Sequence, residues 1–377
     1  MSERLAVIWT NFGPYHLARI RAMKPFFDVN AIELASDQRL YRWWKDDQEG
    51  STYTLTKGDW EDQSRLHVAW KLWRTLNSLH PSILLVPGYA SLPALSAALW
   101  GRINSAKVVL MSESNLDDHP RSTFGEKTKS ILVRFLYCGG IVGGRRAAHY
   151  LRQLGLAESR IAFGYDVVDN QYFATRVAQC RAETAEPPHS PYFLFVGRLA
   201  HEKNISTLLK AHEAYLHSGG TWPLVIVGDG PLKQDLHEQA RKQIQSGMVV
   251  FAGHKSVLEL PAFYAFAGCF VLPSMREPWG LVVNEAMASS LPVIVSSRCG
   301  CADDLVEDGS NGYLIEPNNV HSIAGKLIQM SELTDAQRTQ MGKRSDEIIN
   351  HYSPEYWASE VLRIANVIGG DEDKHGL

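Results

Sequence analysis

Short apolar runs alternate with longer amphipathic segments along the whole chain. Runs rich in β-branched residues occupy positions 5–9, 29–34, 83–86, 107–111 and 161–163, and again 192–196, 224–227, 249–251, 269–272 and 293–295. The segments between them, such as 61–79, have the 3.6-residue apolar period of helices. Apolar runs this continuous are typical of strands buried on both faces of a parallel sheet. The pattern predicts an α/β protein.

A polar, proline-rich stretch interrupts this alternation at 183–191, which has the composition of a linker. The chain has 377 residues, more than the roughly 250–300 at which a single core stops growing. We therefore predict two Rossmann-like, doubly wound parallel-sheet domains, 1–172 and 190–352, joined by a linker at 173–189. Ligands of such sheets bind outside the carboxyl ends of the strands, so the predicted site is a cleft between two facing domains.

The composition excludes several classes of protein. With 45% hydrophobic residues the chain is not disordered, and a formal charge of −3 gives no basic surplus for nucleic acid. The charge divides into +4 for residues 1–170 (21 basic, 17 acidic) and −7 for the rest (17 basic, 24 acidic). This division suggests different partners for the two halves, although scatter explains it equally well because the charges form no runs.

The cysteines and the start of the chain indicate a cytoplasmic protein. The five cysteines form neither a CxxC pair nor a disulfide framework, so we expect reduced thiols. The first apolar run is short and ends at Asn11, so no secretory signal is predicted.

Two cations follow the first strand of the second half. Arg198 and Lys203 lie in the loop after 192–196, and Asn204 is a plausible N-cap for the next helix. Cations beside a helix N-terminus at the end of a parallel strand favour an anion site. Ordinary surface charge is the alternative. The glycine turn Gly228-Asp229-Gly230 after the next strand fits a nucleotide site but is weak evidence alone.

Two carboxylates eight residues apart follow strand 269–272. Glu277 lies in the loop, Gly280 precedes the predicted helix, and Glu285 falls opposite the apolar face of that helix, toward the cleft. Gly280 permits close approach of a ligand to the backbone. A dipole-stabilising acid plus a solvated glutamate is the alternative.

The motifs FVGRL-AHEKN (195–204), VGDGP (227–231) and EPWGLVVNEAMA (277–288) together resemble those of retaining GT-B glycosyltransferases of the GT4 type. The resemblance implies that Arg198 and Lys203 neutralise a donor diphosphate, that Glu277 binds the sugar and that Glu285 binds the ribose. It further implies donor contacts at Gly228, Gly230, Ser256, Gly280, Leu281 and Val282. No essential metal and no cofactor are expected. The donor would be a nucleotide diphosphate sugar such as a UDP- or GDP-sugar.

In the first half, the loop after the first strand contains Asn11 and Gly13, and a helix with Tyr15, His16 and Arg19 follows. The resemblance places Gly13 beside the donor phosphates and the other four on the acceptor side. For His16, a role in capping the helix is an equal alternative.

Many relatives have a functional histidine directly after the strand that corresponds to 107–111. This chain has Ser112 and Glu113 there and His119 later. Glu113, Asp118 and His119 are therefore alternative candidates for the reacting centre, and we assign a catalytic role to His119.

The resemblance also implies that a C-terminal helix, 354–377, crosses back onto the first domain. Together these features predict retaining transfer to a saccharide or lipid-linked acceptor in bacterial polysaccharide or glycolipid assembly. A nucleotide-sugar epimerase, a phosphorylase and a non-catalytic carbohydrate-binding relative stay open as alternatives. Clustered tryptophans with neighbouring cations suggest peripheral contact with the inner face of the membrane, or core packing instead. They are Trp43, Trp44, Trp60, Trp70, Trp73 and Trp100.

Overall fold

The computed structural model describes residues 2–39, 52–116, 122–183 and 191–372. The chain divides into two compact units. Unit 1 comprises Met1–Val167 together with Pro354–Leu377, and unit 2 comprises Val168–Ser353.

The described residues form thirteen strands and fifteen α-helices. The strands are β1 (Arg4–Trp9), β2 (Asp28–Glu33), β3 (Thr52–Thr54), β4 (Ile83–Pro87), β5 (Lys107–Ser112), β6 (Gly139–Val142), β7 (Ile161–Ala162), β8 (Phe193–Val196), β9 (Leu224–Val227), β10 (Val249–Gly253), β11 (Cys269–Leu272), β12 (Val293–Ser296) and β13 (Gly312–Ile315). The helices are α1 (Pro14–Met23), α2 (Arg65–Leu79), α3 (Leu92–Ile103), α4 (Thr123–Leu136), α5 (Arg145–Gln153), α6 (Asn170–Glu183), α7 (Ile205–His217), α8 (Lys233–Gln239), α9 (Arg241–Gln245), α10 (Leu260–Phe266), α11 (Leu281–Ala288), α12 (Ala302–Leu305), α13 (Val320–Glu332), α14 (Asp335–Ile349) and α15 (Pro354–Glu372).

Unit 1 is a parallel sheet in the order β3-β2-β1-β4-β5-β6-β7. Its central strands are buried on both faces, as their unbroken apolar runs predict. Because parallel strands need right-handed crossovers, α2, α3 and α4 cover one face, and α3 packs beside both of its neighbours. The last helix, α15, packs against α1 and strands β5, β6 and β7, with Trp357, Val361 and Ile364 fully buried.

Unit 2 is a parallel sheet in the order β10-β9-β8-β11-β12-β13. Strands β9 and β10 lie on one side of β8, and β11, β12 and β13 lie on the other, so β8 is flanked by β9 and β11. Every strand of this sheet ends at the same edge, where the loops after β8, β9, β10 and β11 lie. The two sheets confirm the predicted pair of Rossmann-like α/β domains.

The segment expected to be a linker differs from the expectation. Residues 170–183 form helix α6 within unit 2, which begins at Val168. The helix forms because Phe173 and Val177, four residues apart, bury their side chains where α6 packs against α10 and α11. The apolar helical period of this segment was not evident from the sequence, because the residues between these two positions are mostly polar.

The uncharged stretch 82–101 folds as β4, a turn and the start of α3. Across the helices of the described residues, none is both long and apolar enough to cross a bilayer.

A matched pair of glycine substitutions tests the sheet of unit 2. A Cβ at Gly312 would lie 1.9 Å from the backbone oxygen of Val293 on the neighbouring strand, whereas one at Gly325 on α13 would meet nothing within 4 Å. We expect Gly312→Ala to lower the free energy of unfolding by about 1–3 kcal/mol. Gly325→Ala should raise it by about 0.5–1 kcal/mol because alanine favours the helix. Urea denaturation measures both, and equal effects would contradict this account.

Candidate functional site

The central feature of unit 2 is an ion pair at the point where its strand order reverses. The amine of Lys203, after β8, contacts the carboxylate of Glu277, after the adjacent β11. Both side chains are largely enclosed, with 17% and 13% of their surface exposed. The carboxyl edge at a reversal of strand order is where open α/β sheets bind ligands. The structure thus brings together two of the residues that the sequence assigned to the donor site.

The loop that carries Glu277 is held at several points. Ser274 donates its hydroxyl to the Glu277 carboxylate at 3.2 Å, and the backbone N–H of Gly300 donates to the Glu277 carbonyl oxygen at 2.9 Å. Met275 N–H donates to the carbonyl of Glu202, next to Lys203, at 2.8 Å. The two charged groups are therefore oriented by their own loops.

Asn204 joins these loops in an unexpected way. It precedes α7, but its backbone is left-handed (φ 59°) and its side chain makes no hydrogen bond to the first-turn N–H groups. Its amide nitrogen donates to the carbonyl oxygens of Pro273 at 3.1 Å and Pro317 at 2.7 Å. The predicted N-cap position is confirmed, but the amide crosslinks the loops after β8, β11 and β13 in place of capping the helix.

The glycines of the turn after β9 have a packing role. A Cβ at Gly228 would lie 1.9 Å from the carbonyl oxygen of Gly197, and one at Gly230 would lie 2.5 Å from that of Leu199. Backbone hydrogen bonds link the same two loops, including Leu199 N–H to the Asp229 carbonyl at 2.9 Å. The turn thereby supports the loop of Arg198, whose side chain is exposed. Donor contact by Gly228 and Gly230 stays a prediction.

Glu285 is buried, although its position on the helix had indicated that it faces the cleft. It is 3% exposed, and the hydroxyl of Tyr264 donates to its carboxylate at 2.8 Å. The interior covers this face of α11 because α6 and α14 pack on the helix. Gly280 precedes α11 with a left-handed backbone (φ 110°), and Leu281 and Val282, which follow it, are partly exposed.

Ser256 follows β10 at the same edge of the sheet. Its N–H and hydroxyl both donate to the Glu259 carboxylate, at 2.9 and 2.8 Å. These hydrogen bonds, together with Lys255, lower the pKa of Glu259 to about 2. In the described conformation the polar groups of Ser256 are thus used in hydrogen bonds within its own turn.

In unit 1, the loop after β1 lies at the reversal between β1 and β4. Gly13 has an extended backbone, and its N–H donates to Nδ1 of His16 at 2.9 Å. Burial, with a smaller contribution from Arg19, holds the pKa of His16 well below its ordinary value. A neutral ring that accepts at Nδ1 carries its proton on Nε2. The capping role of His16 is therefore real, and it leaves one N–H of the ring for other partners.

Arg19 lies inside unit 1 rather than at its surface. Its guanidinium donates to the Tyr165 carbonyl at 2.5 Å and to the Tyr15 carbonyl at 3.2 Å. The rings of Trp9, Tyr165 and Trp357 surround it, with centroids 5.0–5.6 Å from Cζ. The expected acceptor-side role of Arg19 is replaced by anchoring of α1 to the rest of the unit. Asn11 and Tyr15 are also buried, each 5% exposed.

Glu113, after β5, is exposed and shares a hydrogen bond with the buried carboxyl of Asp166, after β7. Burial, followed by the charge of Glu113, raises the pKa of Asp166 well above its ordinary value. Asp118 and His119 lie outside the described residues.

Sequence reasoning missed three groups: Ser274, Tyr264 and Asp166. Ser274 follows β11 within the same loop as Glu277, a position that marks candidates in parallel sheets. Tyr264 and Asp166 meet their glutamates only through tertiary contacts, so no local pattern marks them. Among the described residues, no cluster of three or more His, Cys, Asp or Glu side chains is arranged to hold a metal.

Comparison with known proteins finds a family that is similar to the domain that carries this site. Residues 178–347 match the family model "Glycosyl transferases group 1". Most of unit 2 is therefore similar to this family. The match covers Arg198, Lys203, Glu277 and Glu285.

Two curated relatives match larger parts of the chain than the family model does. It is 29% identical over 301 residues to sulfoquinovosyl transferase SQD2 of Arabidopsis thaliana (74% of this chain, 54% of the relative). It is 31% identical over 231 residues to alpha-D-kanosaminyltransferase of Streptomyces kanamyceticus (58% and 60%). The matched region thus spans little more than half the length of these relatives.

Among solved structures, Alr3699/HepE of Anabaena in complex with UDP is similar at a TM-score of 0.73. Its sequence identity is 17%, and the alignment covers 97% of this chain and 100% of that one. This likeness confirms the predicted GT-B fold.

The Asp166 carboxyl predicts a specific pH dependence of stability. A raised pKa in the native state contributes stability below the unfolded pKa of about 3.9, and this is lost as pH rises through the raised value. The Asp166→Asn variant has no carboxyl group to ionise at this position, so it should not lose this stability as pH rises. Relative to the variant, the parent should therefore become progressively less stable as pH rises above about 4.

Urea denaturation across this pH range measures the difference. The control is Asp28→Asn, which changes an exposed acid at the start of β2. Parallel pH profiles for the parent and Asp166→Asn would contradict the burial argument.

Proposed function

We propose that this chain is a retaining, metal-independent glycosyltransferase that moves a sugar from a nucleotide diphosphate sugar to a saccharide or lipid-linked acceptor. We assign donor binding to unit 2 and acceptor binding to unit 1. The observation that carries the proposal is the Lys203–Glu277 pair at the strand-order reversal of a domain that matches the glycosyl transferases group 1 model.

The first requirement of such a reaction is stabilisation of the leaving diphosphate. Lys203 and Arg198 supply positive charge at the end of β8. The first turn of α11 contains no acidic residue, so its N–H groups add favourable dipoles for an anion. Preorganised charge and N–H donors aimed at developing negative charge are usually the largest source of rate acceleration.

The second requirement is orientation of the sugar. Glu277 carries its carboxylate on a loop pinned by Ser274 and Gly300. We assign Glu277 to the sugar hydroxyls and Lys203 to the phosphate. A donor would thus replace part of the contact between these two side chains, and their preset positions limit the entropy lost on binding.

In the proposed transfer, the bond from the anomeric carbon to the phosphate oxygen breaks, and its electron pair leaves with the diphosphate. The acceptor hydroxyl attacks the same face of the sugar and gives its proton to the departing phosphate oxygen. The configuration is therefore retained without a covalent enzyme intermediate. This pathway follows from the family resemblance, and it requires no paired nucleophile and acid of the glycosidase kind.

For the acceptor side we propose His16, through its Nε2–H, and Glu113 as hydrogen-bonding groups, with His119 as the further candidate. A lipid-linked acceptor would place the enzyme in the cytoplasm at the inner face of the membrane, in bacterial polysaccharide or glycolipid assembly. UDP is the favoured nucleotide because the structurally similar Alr3699/HepE was solved with UDP.

Removing either member of the ion pair should abolish most of the transfer. We expect Lys203→Ala and Glu277→Ala each to lower turnover by about 10²–10³-fold, as loss of a charge-stabilising group does. Initial-rate measurement of nucleotide diphosphate release and product formation tests this.

The matched controls are Lys107→Ala and Glu3→Ala, which break a Lys–Glu pair (3.0 Å) at the amino ends of the strands of unit 1. These should transfer at the parent rate. Near-parent rates for both Lys203→Ala and Glu277→Ala would refute the site assignment, and donor turnover without any acceptor would indicate an epimerase.

A panel of UDP-, GDP-, ADP- and dTDP-sugars identifies the donor. Ligand at 100 times its Kd stabilises the native state by about 2.7 kcal/mol, so the cognate sugar should raise the melting midpoint by roughly 5–10 °C. Lys203→Ala should remove this shift. NMR of the product made with the cognate donor then gives its anomeric configuration, and an inverted product would refute the mechanism.

A further inference from the structure

Large exposed apolar side chains are concentrated on one face of unit 1. Eight of the eleven found in the described residues belong to α2, α3 and α4. They are Leu66, Trp70, Leu92, Leu99, Ile103, Phe124, Ile131 and Phe135. Unit 2 contributes Leu258 alone among its described residues. Soluble surfaces rarely expose a contiguous apolar patch of this kind unless it binds something.

The exposed residues form two aligned stripes. On α3 they occupy positions 92, 99 and 103, and on α4 positions 124, 131 and 135. Spacings of seven and eleven residues return to nearly the same side of a helix, so each set lies on one line. Phe124, Ile131 and Phe135 are 82%, 69% and 59% exposed.

The two stripes lie side by side. The helices pack as neighbours, and the Arg102 guanidinium of α3 stands 5.9 Å from the ring centroid of Phe135 on α4. Packing of α2 against the other side of α3 continues the surface to Trp70, whose ring is covered by Arg74 at 4.8 Å. We call the outward faces of α2, α3 and α4 the apolar-basic surface.

The charge of this surface is one-sided. The exposed charged side chains of the three helices are all basic: Arg74, Arg102, Lys127 and Arg134. Arg65 and Lys71 are partly buried and donate to the carbonyl oxygens of Trp60 and Leu55. The three helices carry one acid, Glu126, which is also partly buried. The single acid is itself paired with Lys129 at 2.8 Å. Unit 2, by contrast, belongs to the acidic part of the chain. Apolar side chains flanked by cations complement the acyl boundary and headgroups of an anionic bilayer.

We propose that the apolar-basic surface docks unit 1 onto an anionic lipid bilayer. The full stripes enter the headgroup–acyl boundary, Leu92, Leu99 and Ile103 from α3 and Phe124, Ile131 and Phe135 from α4, while Arg102 and Lys127 contact lipid phosphates. Arg74 and Arg102 already lie over exposed rings, where a cation remains at headgroup level while its stem stays on apolar surface.

This surface differs from the tryptophan cluster that the sequence suggested. Trp100 is buried at 1% exposure and Trp73 is partly buried, so both serve packing, and Trp70 alone of these three is exposed. Trp43 and Trp44 lie outside the described residues.

The position of the surface relates it to the reaction. Helices α3 and α4 follow β4 and β5, so Leu92 and Phe124 lie in first turns at the carboxyl edge of the sheet, the edge that carries Glu113. Docking would bring this edge close to a lipid-linked acceptor. That consequence rests on the proposed function, whereas lipid binding does not.

Vesicle co-sedimentation of the full chain without substrates tests the inference. We expect binding to phosphatidylglycerol-containing vesicles and little binding to pure phosphatidylcholine, with loss of binding in high salt. Ile131→Ser/Phe135→Ser and, separately, Arg102→Glu/Lys127→Glu should each weaken binding by roughly tenfold or more. These positions are exposed, so melting midpoints should match that of the parent.

The matched controls lie on unit 2: Leu258→Ser removes an exposed apolar side chain, and Lys242→Glu reverses an exposed charge. Both should bind vesicles as the parent does. Absence of parent binding to anionic vesicles, or undiminished binding by Ile131→Ser/Phe135→Ser, would overturn the proposal. So would a concentration-dependent dimer of the parent that Ile131→Ser/Phe135→Ser abolishes, because a second copy would then cover the surface.

Transfer to a water-soluble acceptor should be unchanged in Ile131→Ser/Phe135→Ser. This measurement separates failure of docking from failure of the proposed function.

Discussion

In both sheets every pair of neighbouring strands is parallel, so each connection must carry the chain back along the sheet before the next strand begins. This constraint has two effects. All loops that follow strands gather at one edge, where backbone groups and side chains from distant parts of the chain meet. The returning segments become helices on the faces of the sheet, and these helices determine which surfaces unit 1 presents.

At the edge of unit 2, close backbone approach makes the candidate site possible. The turn after β9 lies so near the loop after β8 that a Cβ at Gly228 would be only 1.9 Å from the carbonyl oxygen of Gly197. Gly300 allows an equally close approach to Pro278, beside Glu277. These contacts, with the crosslinks from Asn204, hold Lys203 and Glu277 on separate loops yet in contact. Charged groups prepositioned in this way suit the stabilisation of a leaving phosphate.

On the face of unit 1, the same architecture leaves three adjacent helices whose inner sides fill the core and whose outer sides stay apolar. An amphipathic crossover helix normally carries polar residues outward. The outward apolar stripes of α3 and α4 depart from that rule together and in register. Two exposed cations of this face, Arg74 on α2 and Arg102 on α3, lie beside exposed rings, an arrangement that fits the proposed bilayer surface.

Local order in the sequence determined the α/β class, the two sheets, and the loops of Arg198, Lys203, Glu277 and Gly280, because apolar period and glycine position act over a few residues. Tertiary structure alone decided what those side chains contact. Glu285 was expected to face the cleft but is covered by packing on α11. Arg19 was expected near the acceptor but is enclosed by the rings of Trp9, Tyr165 and Trp357. Helix α6 formed where composition indicated a linker, since Phe173 and Val177 gain their stability from burial against helices far along the chain. Burial and long-range contact depend on which segments the fold brings together, and a linear pattern does not contain that information.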